Sequence, residues 1–332
     1  MTTIYQYVTL VSLETSVNHF SYFVNTFQPR FLKGEKMSNN YVIETTDLIK
    51  SYPGKIAVNK MNVHMRKGDI YGLIGKNGAG KTSLMKLLLG LTLPTSGKIK
   101  LLNDDNPDRA RRKIGSLIEE PGLYRNETAF ENLKRFSLLT GNSDKELKSI
   151  LEMVGLADTG KKNAGSFSLG MRQRLGIAIA LLGHPELLIL DEPINGLDPA
   201  GIKEIRDTII RLNSEGVSLM ISSHLLDELG KIATCYGIVN SGVLVEEISA
   251  TELSNKCRNG IKIITDNGNE AEMLLKRAFP SLVLSRDENT VHISSTDVDS
   301  SELNRILNNN DIRVYTVCDE SLDFEDFFIQ RL

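Results

Sequence analysis

The sequence has few of the residues that mark disulfide-rich, zinc-binding or membrane-spanning proteins. It contains no tryptophan, and its three cysteines, Cys235, Cys257 and Cys318, are scattered without a C-x-x-C pair. Such spacing argues against a zinc site and a disulfide framework, and it is typical of a reducing compartment such as the cytosol. No apolar run approaches the roughly 18 residues that a membrane-spanning helix needs. If the protein works at a membrane, we therefore expect another chain to supply the spans.

The chain also lacks an excess of charge of either sign. Its 39 Lys and Arg residues and 42 Asp and Glu residues give a formal net charge of -3. This balance provides no general case for binding nucleic acid, and we expect no nucleic-acid partner. The 332 residues are 41% hydrophobic and 24% charged, which is an ordinary globular composition. This length favours two domains.

Residues 1–36 do not resemble a signal peptide, since they lack a basic n-region and a small-residue cleavage site. The stretch Leu32-Lys-Gly-Glu-Lys-Met37 can be encoded by a purine-rich run with GGAG shortly before an ATG. A ribosome-binding site translated in frame would look like this. We therefore hypothesise that translation starts at Met37 and that residues 1–36 are non-native; a genuine flexible or disordered arm is the alternative. N-terminal sequencing of the natural product would distinguish the two.

The strongest motif is Gly75–Thr82, GKNGAGKT, which matches G-x-x-x-x-G-K-[ST] at every fixed position. A short apolar run, Asp69–Ile74, precedes it and predicts a buried strand, and Ser83–Leu89 follows with helical spacing. In this context glycines let backbone N–H groups surround a polyphosphate at a helix N-terminus. We expect Lys81 to reach the β- and γ-phosphates and the Thr82 hydroxyl to bind Mg²⁺. The flanking strand and helix disfavour the alternative, a glycine-rich turn with a chance Gly-Lys pair.

A second motif, Leu187–Pro193, joins four apolar residues to two acids. In an open α/β sheet, ligands gather at the carboxyl ends of the strands. Asp191 is therefore expected to hold Mg²⁺, and Glu192 to act as general base on the attacking water. A further apolar run, Val217–Ile221, leads to His224, which could donate to a γ-phosphate. A lone histidine is, however, more often structural.

Three weaker signals have both functional and structural interpretations. Tyr52, in a Pro-Gly turn segment, could stack on a nucleotide base or be a half-buried loop residue. Ser168 and Gly170 could form an anion site at a helix start, or Ser168 could simply cap that helix. Glu119, where a strand ends, could reach the metal or the attacking water, or be a solvated loop charge.

In this order and at this spacing, the motifs of residues 41–247 resemble the nucleotide-binding domain of ABC transporters. The resemblance implies an α/β P-loop NTPase fold with a RecA-like core, an antiparallel β-subdomain and a helical subdomain. It implies ATP binding by Tyr52, by the Walker A loop and by the serine that follows this loop. These loop residues are Gly75, Lys76, Asn77, Gly78, Ala79, Gly80, Lys81 and Thr82, followed by Ser83. It implies Mg²⁺ binding by Thr82, by Asp191 of Walker B and by Glu119 at the Q-loop position. It also implies catalysis by Glu192 and the switch histidine His224, and nucleotide contacts from the signature residues Ser168 and Gly170 and the D-loop acid Asp198.

Two departures from the family pattern are specific to this sequence. The signature reads FSLGM, which keeps Ser168 and Gly170 but loses the first Gly and the Gln of LSGGQ. The Q-loop position holds an acid, Glu119 or its neighbour Glu120, which adds negative charge beside the triphosphate. An acidic Q-loop with this signature resembles the bacitracin-resistance and lantibiotic-immunity branch of the family.

This resemblance implies a peripheral subunit at the cytoplasmic face of the cell membrane. Two copies would dock head to tail around two ATP molecules and drive a separate integral membrane permease. The cargo implied is an antimicrobial peptide, drug or other amphiphile, and the role would be antibiotic resistance. The alternatives are a soluble ABC ATPase of the translation or DNA-repair type, or a subunit for a different cargo. Against the soluble types, only one cassette is present and the Walker A–signature interval is too short for a long coiled coil.

Residues 251–332 contain no catalytic motif. Predicted strands and helices alternate here as βαββαβ, which suggests a ferredoxin-like accessory domain, followed by a final helix over Phe324–Leu332. We expect a regulatory or dimer-supporting role for this domain.

Overall fold

The computed structural model describes residues 40–257, 260–280, 282, 284–293, 298–319, 324–329 and 331. The hypothesis about residues 1–36 falls outside these ranges. The chain divides into two compact units: one runs to Ala250 and includes Arg331, and the other begins at Thr251. The predicted fold class is confirmed, because the first unit combines a parallel sheet, an antiparallel sheet and helices, and the second is a small α+β unit.

The first unit has a regular succession of strands and helices. Its strands are β1 (Tyr41–Tyr52), β2 (Lys55–Met61), β3 (His64–Arg66), β4 (Ile70–Ile74), β5 (Ser96–Leu101), β6 (Ile114–Leu117), β7 (Leu187–Asp191), β8 (Ser218–Ser223), β9 (Cys235–Asn240) and β10 (Val243–Ser249). Its helices are α1 (Lys81–Leu88), α2 (Pro107–Arg111), α3 (Ala129–Ser137), α4 (Asp144–Met153), α5 (Leu169–Ala180), α6 (Pro199–Ser214) and α7 (Leu226–Gly230), and α8 (Ala250–Cys257) follows at the boundary.

The core sheet has the strand order β10-β9-β4-β8-β7-β6. All neighbouring pairs are parallel except β9 and β10, which form an antiparallel hairpin. Every residue of β4, β7 and β8 is buried, as expected for parallel strands covered on both faces. Because these strands are parallel, the segments that follow β4, β6, β7 and β8 all leave the sheet at the same edge.

The antiparallel sheet is built on the long strand β1. β2 and β3 pair with different parts of β1, and β5 pairs with its other side. Leu48, Val58 and Met61 are fully buried and join the core beneath this sheet. The turn between β1 and β2 leaves Tyr52 directly opposite Lys55.

Between β6 and β7, side chains cap the N-termini of helices α3 and α4. Thr128 and Glu131 form a capping box at α3, and Ser143 and Glu146 form one at α4. The predicted N-cap Ser143 is thereby confirmed.

The second unit contains β11 (Ile261–Thr265), α9 (Gly268–Ala278), β12 (Leu284–Asp287), β13 (Thr290–Ile293), α10 (Ser300–Asn309), β14 (Val314–Asp319) and α11 (Phe324–Ile329). Its antiparallel sheet has the order β12-β13-β11-β14. Ile263 and Val291 from the sheet share a buried core with Leu275 of α9 and Leu303 of α10. Up to β14 the succession of elements is βαββαβ, and the ferredoxin-like assignment of this unit stays a prediction.

Among the described helices of both units, none combines the length and apolarity needed to cross a membrane.

Candidate nucleotide-binding site

The glycine loop between β4 and α1 has a backbone shape that requires glycine. Gly78 and Gly80 have φ values of 80° and 113°, in the region that L-residues rarely adopt. A Cβ atom on Gly80 would also lie 2.3 Å from the carbonyl oxygen of Ala57. In the described chain no side chain caps α1, so its first N–H groups are available to an anion.

Lys81 lies between the loop and the acid that follows β7. Its side chain is buried, and Nζ donates a hydrogen bond to the Gly75 carbonyl oxygen over 2.6 Å. Nζ also lies 3.5 Å from Glu192 Oε1. This carboxylate oxygen is buried and accepts no hydrogen bond from the described residues. A buried ammonium group and an unsatisfied carboxylate oxygen thus meet at the loop, where a polar ligand can satisfy both.

A hydrogen-bonded chain connects the ends of three structural elements. The Thr82 hydroxyl at the start of α1 donates to Asp191 Oδ2 over 2.8 Å. The Ser222 hydroxyl near the end of β8 donates to Asp191 Oδ1 over 2.5 Å and accepts from the Glu192 N–H over 2.8 Å. Asp191 is buried, so this network fixes both of its oxygens.

The Thr82 and Asp191 oxygens are the hard donors that Mg²⁺ prefers. Within the described ranges, no group of three or more His, Cys, Asp or Glu side chains could hold a metal alone. Mg²⁺ usually takes one or two protein ligands and completes its coordination with phosphate and water. The residues present therefore fit a nucleotide-bound Mg²⁺ ion.

Glu192 and His224 form a pair at the same edge of the sheet. Glu192 Oε2 lies 2.8 Å from His224 Nδ1. Glu192 has a φ of 49°, which is uncommon for a residue with a side chain and is found preferentially at functional sites. One oxygen of this carboxylate lies beside the histidine and the other lies beside Lys81, so both of its oxygens have a fixed direction.

Glu192, Lys81 and Thr82 border a cleft of about 350 Å³, whereas Asp191, Ser222 and His224 lie outside its lining. It is lined by Tyr52, Lys55, Ala57, Lys76, Asn77, Gly78, Ala79, Gly80, Lys81, Thr82, Ser83 and Glu192. The structure thus brings the predicted base-stacking tyrosine beside the predicted phosphate loop. The Tyr52 side chain is half-exposed, and the Lys50 ammonium group lies 4.9 Å from its ring centroid.

Two residues of this region were missed by the sequence analysis. Lys55 lines the cleft and its Nζ lies 3.4 Å from the Gly78 carbonyl oxygen. Its position opposite Tyr52 in the hairpin is the signal that could have identified it. Ser222 supports both acids, and its place at the end of a predicted buried strand was the available signal.

The other predicted site residues lie outside the cleft lining. Ser168 caps α5 and accepts from the Met171 N–H over 3.2 Å, and Gly170 lies in the first turn of the same helix. Asp198 caps α6 and accepts from the Gly201 N–H over 3.1 Å. Both capping residues are exposed, so they remain accessible to a second molecule.

Glu119 also lies outside the cleft lining. It follows β6 with a φ of 63°, and its Oε1 accepts from Lys86 Nζ over 2.7 Å. The Lys86 ammonium group lowers the pKa of this carboxyl below its ordinary value. The carboxylate of Glu119, the acid predicted for the Q-loop position, is thus paired with the ammonium group of Lys86 in α1.

Residues 58–195 match a protein-family model described as ABC transporter. The bacitracin transport ATP-binding protein BcrA of Enterococcus faecalis is 41% identical over 297 residues, 88% of this chain and 96% of the relative. The lantibiotic transport ATP-binding protein SrtF of Streptococcus pyogenes is 46% identical over 206 residues, 62% of this chain and 90% of the relative.

Solved structures share the fold of about two thirds of this chain. A nucleotide-free ATP-binding cassette from an ABC transporter aligns with a TM-score of 0.60 at 22% identity, over 65% of this chain and 94% of that chain. A dimeric cassette, MJ0796, in a post-hydrolysis state with ADP and Pi, aligns with a TM-score of 0.56 at 22% identity, over 63% of this chain and 98% of that chain.

Proposed function

Since the chain belongs to the ATP-binding subunits of ABC transporters, we propose that it binds Mg²⁺-ATP in the cleft of α1 and hydrolyses it to drive a membrane permease that exports an antimicrobial peptide or similar amphiphile. The observation that carries the hydrolytic role is the hydrogen-bonded network of Thr82, Asp191, Ser222 and Glu192 beside the glycine loop.

The roles of the residues follow from their chemistry. Lys81 and the N–H groups of the loop bind the phosphates, and Tyr52 packs against the base. Thr82 and Asp191 hold Mg²⁺, which screens phosphate charge when bound. Glu192 accepts the proton of the attacking water. His224 holds Glu192 in place through the 2.8 Å contact of its Nδ1.

A second copy of the chain completes the site in this proposal. Ser168, Gly170 and Asp198 lie outside the cleft lining, at the starts of α5 and α6, where Ser168 and Asp198 are exposed and Gly170 is buried. Helix starts of this kind present N–H groups to an anion. We propose that they contact the nucleotide held by the partner, so that each ATP lies between two copies.

The proposed cargo rests on the names of the relatives. BcrA is a bacitracin transport ATP-binding protein whose match covers 88% of this chain, and SrtF is a lantibiotic transport ATP-binding protein whose match covers 62% of it. A subunit that supplies ATP-derived energy for such transport would work at the cytoplasmic face of the membrane with an integral membrane permease.

The test is a deletion strain of the natural host, complemented with the intact chain or with Glu192→Gln. We expect the deletion to increase sensitivity to bacitracin or to a lantibiotic, and only the intact chain to restore resistance. Sensitivity to an antibiotic with an intracellular target serves as the control. Unchanged sensitivity to both peptide classes would contradict the proposed cargo, whereas the ATPase assay of the purified chain tests the hydrolytic role separately.

A further inference from the structure

The ion pair between Lys86 and Glu119 lies next to the catalytic edge of the sheet. β6 and β7 are parallel neighbours, and Leu117 pairs with Leu190. Glu119 follows the last residue of β6 by two positions, and Glu192 directly follows the last residue of β7, so both acids come after strands that end at the same edge of the sheet. An acid at this position brings a negative charge close to the cleft that receives the triphosphate.

Lys86 is positioned to compensate the negative charge of Glu119. It lies four residues after Thr82 in α1, so the two side chains project from the same face of the helix. Its Nζ is 2.7 Å from Glu119 Oε1, and the side chains of Lys86 and Glu119 are 35% and 68% exposed. The hydrogen bond to Glu119 and, less strongly, the negative charge of Asp191 raise the pKa of Lys86 above its ordinary value.

The conformation of Glu119 gives the pair a further role. Its φ of 63° is sparsely populated for residues with a side chain. The Glu119 side chain is 68% exposed, and its ion pair with Lys86 is the contact that holds its carboxylate against α1. The ion pair with α1 fixes its direction.

We propose that Lys86 is a positioning residue for Glu119: its ammonium group holds the carboxylate beside the cleft and compensates its charge, so that the cleft continues to attract a triphosphate. This inference rests on the proposed nucleotide site. It explains how the site accommodates the negative charge of Glu119 at the edge of the sheet. It assigns to Lys86 a role that none of the sequence motifs suggests.

The experiment is a double-mutant cycle on the full chain with Lys86→Met, Glu119→Gln and the double variant. The dissociation constant of ATP is measured by calorimetry at low salt in EDTA, where no hydrolysis occurs. Since one uncompensated charge near the site is screened by solvent, we expect Lys86→Met to weaken binding roughly three- to tenfold. In the Glu119→Gln background the same substitution should change binding less than about twofold, because no carboxylate is left to reposition.

Two further variants separate positioning from a general loss of charge. Lys86→Arg keeps a cation and should bind ATP within about twofold of the intact chain. Lys113→Met removes the same charge from the Lys113–Glu186 pair at the opposite end of β6, and it should also leave binding unchanged. Lys86→Gln replaces Lys86→Met if the latter does not fold.

Equal weakening by Lys86→Met in both backgrounds would overturn the inference, because it would show that Lys86 acts on the nucleotide without Glu119. An intact chain that binds no ATP would instead overturn the proposed function. The two failures are therefore distinguishable in one set of titrations.

Discussion

Thr82 Oγ1 lies 2.8 Å from Asp191 Oδ2, and this contact joins the loop after β4 to the acid that ends β7. The two strands are not neighbours, since β8 lies between them in the sheet. Ser222 of β8 donates to the other oxygen of Asp191. The site is therefore assembled from three strand ends, and each of them can be perturbed separately.

Glu192→Gln should slow ATP hydrolysis roughly 10²- to 10⁴-fold, because the amide cannot act as a general base. The amide keeps the shape of the side chain, so ATP binding should persist and an ATP-bound dimer should accumulate. Phosphate release and size-exclusion chromatography with ATP measure the two effects. Hydrolysis at the normal rate would refute the role given to Glu192.

Lys81→Ala should weaken ATP binding itself. The substitution removes a buried ammonium group that donates to the Gly75 carbonyl, and it leaves Glu192 Oε1 without its nearest cation. Charge-assisted hydrogen bonds contribute about 1.5–3 kcal/mol, so we expect the dissociation constant to rise roughly 10- to 100-fold. Calorimetry with ATP in EDTA measures it, and Lys113→Ala is the control for loss of a lysine. Retained affinity in Lys81→Ala would count against the phosphate-binding loop.

Ser222→Ala should impair both stability and hydrolysis. Its hydroxyl is fully buried and bonds both Asp191 and the Glu192 N–H, so its removal leaves buried polar groups unpaired. We expect a loss of about 1–3 kcal/mol in the free energy of unfolding, together with a lower kcat. Ser223→Ala is the matched control, since that buried hydroxyl accepts from the Leu225 N–H and bonds neither Asp191 nor Glu192 within the described chain. An equal kcat in the two variants would show that Ser222 has no specific role.

Gly80→Ala should destabilise the fold at the start of α1. The new Cβ would meet the Ala57 carbonyl oxygen at 2.3 Å, and the φ of 113° is unfavourable for alanine. Backbone strain of this kind costs about 1–3 kcal/mol, and the close contact adds to it. Chemical denaturation measures the loss. Gly122→Ala is the control, because its Cβ would meet nothing within 4 Å; equal stability of both variants would contradict the strained geometry.

The sequence alone predicts those parts of the site that lie on contiguous segments. The glycine loop, Asp191 and Glu192 each follow directly from a short apolar strand, so local pattern and parallel-sheet geometry place them together. Ser222 could not be assigned in this way, because its contact with Asp191 depends on β8 lying between β4 and β7. Lys55 likewise depends on the register of the β1–β2 hairpin.

Glu119 shows a different limit of sequence reasoning. The motif order located it at the edge of the sheet, but the direction of its side chain depends on a φ of 63° and on Lys86 from another element. Neither is encoded in the residues around Glu119. The order of strands in the core sheet and the side-chain partners at its edge are therefore the information that only the three-dimensional structure supplies.

Tyr52 provides a test of how the base is bound. Its ring lines the cleft at the turn of the β1–β2 hairpin and is 41% exposed, so a base can stack on its free face. Stacking of a base on an aromatic side chain is worth about 1–3 kcal/mol, so Tyr52→Ala should weaken ATP binding at least fivefold or so. Tyr52→Phe keeps the ring and should bind ATP as the intact chain does. Inorganic tripolyphosphate has no base, so its affinity should be the same in all three forms. If Tyr52→Ala weakened tripolyphosphate and ATP equally, Tyr52 would be supporting the phosphate loop and not the base.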